Sequence, residues 1–395
     1  MGRKPLDGRC GCFEQRVIEK GVSQSDSFFI VPFSMGGSRN ASSAVCTPLR
    51  DGCATRPESR LKSRPFRPVM MFMHPDALAT LQQHLTTALA SPPAEARRLF
   101  HGRGRCWEGL EHVTVDWLQG VVLVSLFREP PTAELDALRM LLSSLTQGAG
   151  WQASGAHSLL LQHRYLPDSR MERLLGEPVE EWVISENGLR YKLDLGIKQN
   201  NGLFLDMRYG RRWVQGQARG LRVLNLFAYT CGFSVAALAG GAEHVVNLDM
   251  ARAALSRGRD NHRLNEHDLS RVSFLGHELF KSWGKIRKSG PYDLVIVDPP
   301  SFQKGSFALD RDYQKILRRL PELLTANGRV LACINDPDTG PDFLIQGIAA
   351  EAPELVFVQR LENPPEFPDI SPDSGLKALV FERSGTRLAG DCDET

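Results

Sequence analysis

The 395-residue sequence predicts an α/β protein: a doubly wound, seven-stranded Rossmann-like sheet behind a smaller N-terminal α+β domain. Three observations predict it. Apolar runs such as Val223–Leu226, Val245–Leu248 and Val295–Val297 each end in a small or acidic residue, as parallel strands do when their carboxyl ends carry a ligand crevice. Between these runs lie stretches of helical spacing. The two final runs are joined by a loop rich in Pro and Asp, which suits an antiparallel pair.

In chain order, Asp76 to Ala90 places Leu78, Leu81, Leu85 and Leu89 on one helical face and stops at Pro92-Pro93. Val113 to Asp116 and Gly120 to Phe127 read as paired strands. Thr132 is expected to cap a helix through Leu135, Leu138, Leu142 and Leu145, and Ser158 opens another strand. Trp182 to Leu193 reads as a hairpin, because Asn187-Gly188 accepts the positive φ that a two-residue turn needs. The main alternation follows. Strands are expected at 222–228, 244–249, 272–276, 294–297, 329–334, 355–361 and 376–381, with helices at 234–239, 251–264 and 312–324. The expected division is a tail over 1–70, an α+β domain over 71–195, the main sheet over 196–384 and a loose end over 385–395.

The net charge is +2, with 24% charged residues. Met1 to Met70 holds twelve Lys or Arg against six Asp or Glu, a local +6, which leaves the remainder at −4. The body is therefore no strongly basic nucleic-acid binder by composition. The first seventy residues lack any apolar period and are expected to be a disordered or over-extended start, with Met70, Met71 and Met73 as alternative beginnings; a mitochondrial-type presequence is the rival reading. Scattered cysteines suit a reducing cytoplasm, no apolar run approaches the ~20 residues of a membrane span, and no metal-ligand spacing occurs.

The first strand's loop separates two cofactors. A dinucleotide fold needs G-x-G-x-x-G there to seat a pyrophosphate. This loop, with Phe227, Ala228, Tyr229 and Gly232, has one central glycine, so it suits a ligand without phosphate: S-adenosylmethionine. Asp249 at the second strand's tip can accept from both ribose hydroxyls, although it could instead cap the following helix. Met250 can pack on adenine. Glu278 can accept from the adenine amino group, and Leu279 offers a backbone N–H.

Asp298-Pro-Pro-Ser-Phe302 is the substrate-side signal. Its prolines fix the strand exit and turn Asp298 towards the crevice, and Phe302 can stack on an extruded base. Cys333 lies one pleat short of the fifth strand's tip, and Asn335 occupies the tip itself. Cytosine-C5 chemistry needs a crevice thiolate, whereas a buried cysteine is ordinarily a small hydrophobe. Basic clusters at Arg208/Arg211/Arg212, Lys281/Lys285/Arg287/Lys288 and Lys315/Arg318/Arg319 are either phosphate contacts or solvated faces.

Through Gly202-Leu-Phe-Leu-Asp-Met-Arg208, Leu224-Asn-Leu-Phe-Ala-Tyr-Thr230, Asp249-Met250 and Asp298-Pro-Pro-Ser-Phe302, the chain resembles the bacterial 23S rRNA methyltransferases of the RlmI and RlmK type. The resemblance runs from about Arg98 to Arg383. It implies that Phe204, Asp206 and Arg208 belong to a segment that closes over the cofactor, and that Asp249, Glu278 and Asp298 fill cofactor positions. The sequence departs from the family's pattern at Cys231, where Gly is usual, and at Glu278, where Asp is usual. The family's catalytic cysteine falls on Asn335, as in guanine-N7-modifying members. Asp298, Phe302 and Asn335 are thus the expected catalytic residues, RNA the expected partner, and direct methyl transfer to a base nitrogen the expected chemistry. A protein or small-molecule methyltransferase, and an RNA-binding module without catalysis, are the alternatives; the oligomeric state stays open.

Overall fold

The computed structural model describes residues 73–196, 199–303 and 306–384, so both expected tails lie outside the described residues. Helix α1 (Pro75–Ala90) starts at His74, whose ring accepts from the Ala77 amide at 3.1 Å, and buries Leu78, Leu81, Leu85 and Leu89. Strands β1 (Arg97–His101), β2 (Val113–Trp117) and β3 (Val121–Leu126), helices α2 (Thr132–Thr146) and α3 (Ala149–Ser154), and strands β4 (Ser158–His163) and β5 (Met171–Leu175) follow. The five strands pair in numerical order, and only β3–β4 is parallel. Hence β1, β3 and β4 run the same way and end on one edge. The expected Thr132 cap is corrected: Thr132 is the first helical residue, and Pro131 before it supplies no side-chain cap.

Alternation along these strands divides the sheet's two faces. Val113, Val115, Val124, Leu159 and Leu161 pack under α1, α2 and α3. Val121, Leu123 and Leu160 face the other way, onto the hairpin β6 (Glu181–Glu186) and β7 (Leu189–Asp194) through Ile184, Tyr191 and Leu193. The hairpin turns at Asn187 (φ 52°) and Gly188 (φ 75°) as the sequence predicts. It joins neither large sheet.

The main layer comprises α4 (Arg208–Gln217), β8 (Arg222–Leu226), α5 (Gly232–Ala239), β9 (His244–Leu248), α6 (Arg252–Leu264), β10 (Val272–Leu275), α7 (Trp283–Ser289), β11 (Tyr292–Val297), the short β12 (Phe302–Gln303) and β13 (Phe307–Ala308), α8 (Leu309–Leu317), α9 (Leu320–Leu323), β14 (Leu324–Ile334), α10 (Asp342–Glu351), β15 (Leu355–Leu361) and β16 (Lys377–Arg383). The seven-stranded order is β10-β9-β8-β11-β14-β16-β15, and β16 alone runs antiparallel to the other six. The order in which strands are added reverses between β8 and β11, where such folds open a ligand crevice. The single helix expected over 312–324 is instead α8 and α9, because Pro321 cannot continue a helix interior. Edge β7 is satisfied from α6: Lys192 N donates to Asn261 Oδ1 and Arg190 N to Asn265 Oδ1, both at 2.8 Å.

Polar residues inside the central strands form one buried chain. Asn225 donates to Asn247 across β8 and β9 (2.9 Å), Asn247 donates to Ser234 Oγ (2.9 Å), and Ser234 meets His262 Nε2 (2.9 Å). With their partners supplied, these amides add no unpaid burial to the sheet centre.

Candidate active site

The loop after β8 is held in a strained form. Phe227, Tyr229 and Cys231 have φ of 56°, 46° and 62°, the left-handed region that costs an ordinary residue about 1–2 kcal/mol. Its ties are numerous. Asp249 Oδ2 accepts from Tyr229 N (2.8 Å), Ala228 N donates to Leu248 O (3.0 Å), Thr230 Oγ1 donates to Gly202 O (2.5 Å), and Asn261 Nδ2 donates to Thr230 O (3.0 Å). The Cys231 side chain is buried against Gly258 of α6, where any Cβ would collide with its sulfur. Cys231, the departure from the family pattern, thus stands in a glycine conformation and fits because α6 carries a glycine opposite.

Asp249 Oδ1 also accepts from Ala251 N at 2.8 Å, so the carboxylate clamps the ends of two loops. The capping alternative and the ribose reading share one residue: each oxygen takes one amide and keeps further acceptor capacity. A small cleft brings Asp249 together with Phe227, Met250, Glu278 and Leu279, five of the expected cofactor residues. Phe280, Gln303 and Ser306 line it too and had no sequence signal. Glu278 Oε1 accepts from Phe280 N (2.8 Å) and Oε2 faces Lys281 Nζ (3.4 Å), so this acid is also fixed by its own turn.

The opposite side draws on distant segments. Asp206, in the turn before α4, accepts from Asn335 Nδ2 at 3.4 Å, and the Asn335 carbonyl accepts from Ser301 Oγ at 3.4 Å. Asn335 is exposed just past β14. Asp298 follows β11; its carboxyl is pushed up to about 7, first by burial and then by Asp206, while Arg211 pulls it down. Burial likewise raises Asp206, against Arg98 and Arg211. Phe204 is 47% exposed, and its ring lies 5.6 Å from that of Tyr229. Phe302 is placed by its backbone in β12, and its side chain is outside the described residues.

Three expected residues stand elsewhere or behind the site. Arg208 is buried and donates to Glu366 at 2.9 Å, so the structure ties it to the β15–β16 loop. Ala228 is buried in the strained loop, and Gly232 is the first residue of α5, packed under Leu203. Arg211, noted only as part of a basic cluster, forms a fully buried bidentate pair with Glu186 (2.6 and 2.8 Å) and donates to the Phe204 carbonyl (2.7 Å). The remaining basic clusters are largely neutralised: Arg287 and Arg319 by Glu322, Lys315 by Asp312, and Arg318 by Glu351.

Cys333 is fully buried among Leu294, Ile296, Leu331 and Val380. Burial, then Asp298 and Asp206, hold its thiol well above the ordinary range, so it is no nucleophile in this form. The donor set fits S-adenosylmethionine: carboxylates and an apolar cleft where a ribose and a ring would lie, two acids near the crevice for a cation, and no phosphate-binding glycine array.

Residues 97–382 match the family described as S-adenosylmethionine-dependent methyltransferase. The chain is 34% identical over 203 residues to ribosomal RNA large subunit methyltransferase I of Aliivibrio fischeri, covering 49% of this chain and 50% of that protein. It is 37% identical over 179 residues to the protein of the same name in Aeromonas salmonicida, covering 44% and 45%. The chain thus spans about half the length of these relatives. The crystal structure of SMU.776 complexed with SAH is similar at 25% identity and TM-score 0.67, over 77% of this chain and 80% of that one. With the family match spanning the small domain's sheet and the whole main sheet, the chain belongs to the S-adenosylmethionine-dependent methyltransferase family.

Proposed function

We propose that this protein methylates RNA, ribosomal RNA in the first instance, by direct transfer of a methyl group from S-adenosylmethionine to a nucleophilic base nitrogen. The observation that carries the mechanism is the pairing of an exposed Asn335 at the β14 tip with a buried, protonated Cys333 one pleat behind it. Covalent addition to cytosine needs a thiolate at the crevice. Among the described residues, Cys231 and Cys333 are buried and Cys106 is the one exposed thiol, in the turn after β1. The names of the ribosomal RNA methyltransferases to which the chain is similar support the RNA reading.

S-adenosylmethionine supplies an activated methyl group on a cationic sulfur. Asp249 orients the ribose while holding the strained loop, Met250 and Phe227 cover adenine, and Glu278 with the Leu279 amide reads its edge. Asp206, Asp298 and Asn335 border the transfer point, and Phe302 stacks on the extruded base. Most of the rate comes from holding the acceptor nitrogen in line with the methyl group. Guanine N7, already nucleophilic, needs no added base. The protein acts in the cytoplasm, where its substrate is made and assembled. Mass spectrometry of ribosomal RNA nucleosides from cells with and without the gene tests the reading: one methylated purine disappears on deletion, and an unchanged nucleoside profile contradicts it.

A further inference from the structure

The small domain's sheet ends in a second feature that the cofactor site does not use. Because β1, β3 and β4 run in one direction, their carboxyl ends share an edge. Phe127 follows β3, and Arg164 follows β4 beside it, the Arg164 amide donating to Leu126 O at 2.9 Å. Arg103 stands in the turn after β1. The Arg103 and Arg164 guanidinium carbons lie 4.3 and 4.8 Å from the centre of the Phe127 ring.

This arrangement is electrostatically incomplete. Among the described residues neither Arg103 nor Arg164 forms an ion pair with a carboxylate, whereas neighbouring Arg98 and Arg105 are paired with Asp116 and Asp369. Arg164 donates from Nη2 to Asn200 Oδ1 (3.0 Å), but its buried Nε has no acceptor among the described residues. Burial and Arg103 push the Arg164 guanidinium down to about 10. Two guanidinium groups held together with an orphaned donor lack an anion.

The edge adjoins the crevice. Asn200, which fixes Arg164, accepts from Tyr229 OH through its carbonyl at 3.1 Å, and Tyr229 lies in the cofactor loop against Phe204. Asp206, at the transfer side, is close enough to act on Arg103 electrostatically. We infer that Arg103 and Arg164, aligned by Phe127, form a phosphate-binding site for the backbone of the substrate RNA next to the nucleotide that enters the crevice. The inference rests on the RNA reading above and adds the surface that delivers the nucleotide: the small domain grips a phosphodiester while the main sheet holds the base.

The test uses the full chain, a ribosomal RNA fragment that the wild type methylates, and the variants Arg103→Gln, Arg164→Gln and Arg103→Lys. Loss of one phosphate contact lowers the slope of log K against log salt by about 0.7–0.9. Each Gln variant is expected to show that drop, with KM for RNA raised about five-fold or more, kcat within two-fold and S-adenosylmethionine affinity unchanged. Arg103→Lys restores the salt slope, which a merely structural stacking role would not do; exposed Arg103 also guards against a folding artefact at Arg164. Unchanged salt slopes in both Gln variants of an enzyme that still methylates RNA overturn the phosphate site alone. A wild type that neither binds nor methylates RNA overturns the RNA reading, and the phosphate site with it.

Discussion

The adenosine half of the crevice and its transfer half are built differently. Phe227, Asp249 and Glu278 sit at the tips of the three adjacent strands β8, β9 and β10, and each acid is fixed by backbone amides of its own or a neighbouring loop. Asp206, Asp298 and Asn335 come from segments as much as 129 residues apart. Two of them are carboxyls that burial holds above their ordinary range, Asp298 also through the charge of Asp206. The first half is a rigid local clamp. The second is a long-range assembly under electrostatic tension, kept together by supports behind it.

The largest expected effect removes such a support. Glu186 and Arg211 form a buried pair that also holds the Phe204 carbonyl, and removing one partner of such a pair costs about 3–5 kcal/mol. Glu186→Gln should lower denaturant stability by that order; a loss under about 1 kcal/mol would show that the transfer half does not depend on it. On the clamp side, Asp249→Ala should weaken S-adenosylmethionine binding by about 1.5–3 kcal/mol in calorimetry. It should also destabilise the fold, since two loop amides lose their acceptor. Loss of affinity without loss of stability would break the picture of a clamp.

A smaller effect probes the strained loop itself. Gly258→Ala forces a methyl group onto Cys231 Sγ and should cost about 1–3 kcal/mol, and adding Cys231→Gly should recover most of it. Additive losses would mean that the two positions do not meet.

The tension in the transfer half has a pH signature. Asp298 has a folded pKa near 7 against about 3.9 unfolded, so its protonated form stabilises the fold at low pH. That contribution is lost as pH rises from about 4 to 7. Asp298→Asn should therefore be more stable to denaturant than wild type at pH 8, by about 1–2 kcal/mol after solvent screening, with little difference at pH 4. An equal shift at both pH values would remove the buried charge from the account.

What the sequence disclosed follows the same division. The strand tips, the Asn187-Gly188 turn and the places of the seven strands along the chain were legible because apolar runs and turn residues are local signals. Phe280, Gln303 and Ser306 were not, since the cleft gathers them from a turn and from the short β12–β13 hairpin, which has no periodicity to read. Arg208 and Arg211 read by composition as a basic cluster, either phosphate contacts or a solvated face, and only the fold reveals Glu366 and Glu186 as their partners. Helix α4 was missed because its charged sequence hides a buried side held by those ion pairs. Cys231 read as a departure from a glycine pattern, and its compensation lay on a different helix, at Gly258.

The most direct test of the whole account is transfer of a deuterated methyl group from labelled S-adenosylmethionine to ribosomal RNA, followed by digestion and mass spectrometry of the nucleosides. The account predicts label on one purine nucleoside, transfer at least ten-fold slower in Asp298→Asn, equivalent to about 1.4 kcal/mol or more, and unimpaired transfer in Cys333→Ser. Label on C5 of cytidine, abolished by Cys333→Ser, would contradict it.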